Sequence, residues 1–109
     1  MAAALYPGDK FTTDRRLAWV RSRSQAWFRY EDWELTFEEY CTFFNSINRF
    51  YSRSRKSDGL VLTRLDSKKP WSKENCCIIT RINQLRANRA AMAGQNDREF
   101  YKDAIFYGQ

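Results

Sequence analysis

The chain has 109 residues, with 19 Lys and Arg against 13 Asp and Glu, 43% apolar and 17% aromatic residues, and no histidine. That length fits one domain with one modest core, and the apolar content excludes a disordered chain, while the missing histidine excludes any mechanism built on an imidazole base or ligand. No apolar run is long enough to span a membrane and no secretion or lipidation signal is visible, so a cytoplasmic protein with no membrane partner is expected.

Residues 1–12 contain Pro7 and Gly8 and lack periodicity, which marks an N-terminal arm ahead of a single domain over residues 13–93. A first helix is predicted from Thr13 to Arg29, with Leu17, Val20, Ser24, Trp27 and Phe28 on one stripe at helical spacing. Trp19 falls on the opposite side, where it either packs beneath a loop or stands out as a stacking platform. In "LTFEEY" Thr36 can cap a second helix while Glu39 reaches back, and Leu35 with Tyr40 can form a hydrophobic staple around that capping box. Phe37, Tyr40, Cys41, Phe44 and Ile47 then hold the spacing of a buried face, and Phe43 and Phe50 fall off it.

The segment "YSRSRKSDG", residues 51–59, reads as a basic loop closed by a turn at Asp58 and Gly59. Strands follow at residues 60–65 and 76–79, separated by the polar loop "DSKKPWSKE". Thr80 is placed to cap a helix that ends before Gly94, a natural C' residue. Residues 94–109 form a tail in which Phe100, Ile105 and Phe106 point to a short final helix or a docking segment. The fold class that results is α+β: two N-terminal helices packed on a ββα unit. Cys41, Cys76 and Cys77 show no C-x-x-C spacing, and the adjacent pair would face opposite sides of a strand, so reduced thiols are expected.

Charge is concentrated. Residues 49–73 hold eight Lys or Arg against Asp58 and Asp66, which accounts for the whole net charge of +6. Such a localised field draws phosphate backbones, DNA or RNA, to one region. Arg53, Arg55, Lys56, Arg64, Lys68, Lys69 and Lys73 are the candidate phosphate contacts, and Arg81, Arg86 and Arg89 extend the track along the helix after the second strand.

The pieces "LTRLD", "KKPWSKENCCIIT" and "INQLRANR", in that order, resemble a branch of the HNH (His-Me finger, ββα) endonucleases common among phage proteins. The lead-in "QAWFRYEDWELTFEEYCTFF" is similar to the helical approach of the same family, so the likeness covers roughly residues 17–90. It implies that Arg64 occupies the place of the catalytic histidine, Thr63 that of a metal-binding aspartate, Asn75 that of a bracing asparagine, Asn83 that of a helix metal ligand and Asp66 that of a second acid. Thr63 is a poor metal ligand and Arg64 cannot accept a proton near neutral pH. No catalytic residue, metal ligand or cofactor is therefore assigned, and Mg²⁺ enters only if the chain still cuts.

Each position also has a reading without catalysis. Asn75 can fold the loop by bonding its backbone, Arg64 can pair with Asp66 or Glu74, and Trp71 can plug the loop or stand at its tip. Three functions follow as expectations. The first is a non-catalytic nucleic-acid-binding protein on a degenerate HNH scaffold. The second is a Mg²⁺-dependent nicking endonuclease with an atypical base such as Asp66 or Glu74. The third is a small phage protein that binds and inhibits a host protein, with Trp19, Phe43, Phe50, Phe106 and Tyr107 as interface anchors.

Overall fold

In the computed structural model, which describes residues 9–95 and 98–109, helix α1 spans Lys10–Phe28. Asp9 caps it, its carboxylate accepting the Thr12 N–H at 2.7 Å. The helix therefore begins before the expected Thr13, because Asp9 supplies the acceptor that the first free N–H groups need. Residues 1–8 of the expected arm lie outside the described residues.

The buried stripe of α1 is also displaced from the expected one. Ala18 and Ala26 are buried and Phe11 and Trp19 pack against the core, whereas Leu17, Trp27 and Phe28 are 48%, 58% and 86% exposed. Small residues let the helix lie close to its neighbours, and that close approach sets its rotation in preference to the larger apolar groups. At its C-terminus Tyr30 adopts φ 59°, and the Glu31 N–H reaches the Ala26 carbonyl while the Tyr30 N–H reaches Trp27. This is a Schellman turn with tyrosine where glycine is usual.

Helix α2, Phe37–Phe43, carries the full capping box: Glu39 N–H donates to Thr36 Oγ1 and Thr36 N–H donates to Glu39 Oε1. Its C-terminal carbonyls are satisfied from elsewhere in the chain, Arg15 donating to Phe44 and Cys41, and Arg49 to Phe43. The chain then breaks at residues 44–46 and resumes as α3, Ile47–Tyr51, capped by Ser46. That break corrects the expected stripe. Ile47 is 59% exposed, while Phe43 and Phe50 are fully buried and cannot anchor a partner. Trp19 is likewise taken up by the fold, its indole N–H donating to the Leu35 carbonyl at 3.0 Å.

Strands β1, Leu60–Arg64, and β2, Cys76–Thr80, pair antiparallel with Leu62 opposite Ile78 and Arg64 opposite Cys76. Alternation turns Leu60, Leu62, Cys76 and Ile78 towards the cluster made with Ala18, Leu35, Tyr40, Phe44 and Phe50. Thr63, Cys77 and Ile79 occupy the other face, also buried. Helix α4, Arg81–Met92, starts at Thr80 as expected and ends in a second Schellman turn, with Gly94 at φ 75° and the Gln95 N–H on the Ala90 carbonyl.

Residues 98–101 form one 3-10 turn, and the chain then docks on the outer edge of β2. Ile78 and Ile105 exchange both backbone hydrogen bonds at 2.9 Å, so the expected docking segment serves as a short third strand position that covers an edge. The result is the expected α+β arrangement of helices on a ββα unit. Among the described residues no helix is long and apolar enough to cross a membrane.

Candidate functional site

The positions singled out by the HNH resemblance are mostly occupied by structural bonds. Arg64 pairs with neither Asp66 nor Glu74. Its guanidinium donates to Glu31 Oε2 at 2.9 Å and to the Lys69 carbonyl at 3.1 Å, and stacks over the Trp71 ring at 5.1 Å. The same Glu31 carboxylate accepts the Trp71 indole N–H at 3.1 Å. With its side chain only 12% exposed, Arg64 is a staple between the α1–α2 link and the hairpin and not a free phosphate ligand.

Asn75 is buried and spends both ends of its amide on the loop. Its Oδ1 accepts the Asp66 N–H, and its Nδ2 donates to the carbonyls of Asp66, Pro70 and, at 3.4 Å, Lys69. Asp66 turns its own carboxylate back to the Lys68 N–H at 2.9 Å. Thr63 is buried on the face opposite the main core, and Asn83 donates its backbone N–H to the Thr80 cap. Among the described residues no group of three or more Cys, Asp or Glu side chains converges where a metal could sit. A buried neutral hydroxyl at Thr63 and an Asp66 carboxylate held by its own turn are poor ligands for a divalent cation.

The basic run divides by position along the hairpin. Arg53, Arg55 and Lys56 precede β1, Arg53 bridging to Leu60, whereas Lys68 and Lys69 lie beyond its far end, roughly 14 Å away at ~3.4 Å per residue. Within this set Arg53 donates its Nε to the Phe50 carbonyl and lies over the Phe50 ring at 4.0 Å. Lys73 sits 3.7 Å from Glu39, and Arg81 is bonded to Gln84. Arg55, Lys56, Lys68, Lys69, Arg86 and Arg89 are exposed and form no ion pair among the described residues. Of the aromatic anchors, Phe106 and Tyr107 remain 37% and 38% exposed, Tyr107 lying edge-on to Phe43.

A groove of about 350 Å³ opens between α1 and the start of β1. Its floor is Trp33, Trp71, Tyr40, Phe44 and Leu62, and its rim carries Arg21, Arg53 and Arg55, with no carboxylate among the described residues. The floor is rigid: Trp33 and Trp71 rings lie 5.6 Å apart, their segments are joined by Trp71 N–H to Asp32 and Glu34 N–H to Trp71, and the Trp33 indole N–H is bonded to Leu35. Burial pushes the Tyr40 phenol up to about 12, against the pull of the nearby Arg53 cation, so it stays neutral.

Arg21, Trp33 and Glu31 were not read as site residues from the sequence. Ala18, Arg21, Ser22 and Gln25 do recur at i, i+3, i+4 and i+7, a stripe of small and polar residues that lines the groove and that a search for large apolar side chains passes over. Comparison of the chain with protein-family models, curated proteins and solved structures gives no significant match.

Proposed function

We propose that this protein binds nucleic-acid backbones without hydrolysing them, on a ββα scaffold that resembles a degenerate HNH motif. The observation that carries the reading is the contrast within one basic segment. Arg55, Lys56, Lys68 and Lys69 stand exposed at the two ends of β1 with no ion pair among the described residues, while Arg64, at the place of the base in the HNH motif it resembles, is held by Glu31 and Trp71. Cations kept free in water release counterions from phosphates when they bind, which favours association with either DNA or RNA and carries little base preference. A guanidinium locked in an ion pair takes no proton from water. The reading in which the aromatics anchor a host protein loses Trp19, Phe43 and Phe50 to the fold.

The test is binding of a labelled short duplex by anisotropy at low and moderate salt, beside a plasmid-nicking assay with Mg²⁺ or Mn²⁺. Affinity should fall steeply with salt and the plasmid should stay intact. Affinity indifferent to salt rejects the backbone reading. Nicking that disappears in Asp66→Ala or Asn83→Ala rejects the non-catalytic part of it.

A further inference from the structure

We propose that the trough along α1 takes an unpaired nucleic-acid strand, its bases on the half-buried Trp33 ring and on the exposed Phe28, and its phosphates on Arg21 and Arg55. This deepens the function proposed above and rests on it. The central groove, at about 350 Å³, has the size of a small-ligand cleft, and its charged lining is entirely arginine. Two shallower hollows continue it, and both contain Arg21. One passes Leu17, Phe50 and Tyr51, and the other passes Gln25, Phe28, Arg29 and Arg55. The groove adjoins the first through Ala18, Arg21 and Arg53 and the second through Arg21, Gln25 and Arg55, so the three lie side by side along the helix. The one acid lining them among the described residues, Asp14, is already bonded to Lys10 and to the Tyr51 hydroxyl.

Proteins hold single strands with a cationic groove for the backbone and aromatic rings for the bases, because every base has a π face. Pairing and stacking hide those faces in a duplex, so a groove floored by indoles offers a duplex little. It offers an unpaired strand a great deal. A second feature of the same end of α1 agrees. Phe28 and Tyr30 are 86% and 97% exposed, and Tyr30 holds a left-handed backbone that glycine would adopt at lower cost. Aromatic rings presented to water in this way contribute nothing to the core and are free to stack.

The experiment compares a blunt duplex with the same duplex carrying a single-stranded thymidine tail, using the full chain at one salt concentration. The tailed probe should bind about tenfold more tightly or better, with quenching of tryptophan fluorescence. Arg21→Ala and Phe28→Ala alter exposed side chains and should each remove that gain, whereas Lys68→Ala should weaken both probes alike. Equal affinity for the two probes, or a gain that persists in both groove variants, overturns the trough assignment while leaving backbone binding in place. Failure of the unaltered protein to bind either probe overturns the backbone reading and the trough with it.

Discussion

Asn75 shows how one side chain can be legible in a sequence. An asparagine between a polar loop and an apolar strand bonds turn backbone whatever else it does, and here it holds the backbone groups of Asp66, Lys69 and Pro70. Asn75→Ala should cost roughly 2–4 kcal/mol, since a buried N–H and two strong carbonyl acceptors lose their partner, and a shift in the urea midpoint reads it. Glu31 was not legible. Its partners Arg64 and Trp71 are 33 and 40 residues away, and nothing local marks a carboxylate for such a bond. Tyr30 is a separate case at this scale: 97% exposed and at φ 59°, it has strain to lose and no contact to sacrifice. Tyr30→Gly should therefore raise stability by about 1 kcal/mol in the same urea assay, and a fall would mean that the ring is held by something other than solvent.

The elements were legible where caps and breakers mark them. Thr36 with Glu39, Thr80 and Gly94 set the ends of α2 and α4 as expected, because each satisfies free backbone groups with residues a few positions away. The rotation of α1 and the path after Phe44 were not, because both depend on what lies opposite. The C-terminal segment depends on distant partners most directly, since Ile105 pairs with Ile78 and packs against the core. Ile105→Pro removes its N–H donation to the Ile78 carbonyl and should lower stability by about 2–3 kcal/mol in urea unfolding. An unchanged midpoint would mean that the edge of β2 needs no cover.

At the scale of the whole molecule, stability and binding respond to two different sets of ionisable groups. Burial pushes the Cys76 and Cys77 thiols up to about 12. The unfolded chain releases those protons first, from about pH 8.5 upward, so between that pH and 12 it binds fewer protons than the native state and stability falls as pH rises. Each thiol contributes at most about 1.4 kcal/mol per pH unit in that window. Urea midpoints between pH 8 and pH 11 should decline accordingly, and the double variant Cys76→Ala, Cys77→Ala should flatten the slope. Binding depends instead on the exposed cations. Lys68→Ala with Lys69→Ala should lower the dependence of log affinity on log salt by about 2 for a duplex, if each lysine meets one phosphate. No change in that slope would place the contact surface elsewhere.

By itself the sequence determined the α+β class, the order of hairpin and following helix, the capped ends of α2 and α4, the bracing Asn75 and the absence of an imidazole, because each follows from neighbours in the chain or from composition. Tertiary structure alone decided that Arg64 belongs to Glu31, that Phe43 and Phe50 are core, that the basic segment divides between the two ends of β1, and that Arg21 faces Trp33 and Trp71 across a groove. The physical reason is the same in each case. Charges and rings find partners by distance in space, and chain spacing says nothing about which of them a turn or a helix rotation will bring together.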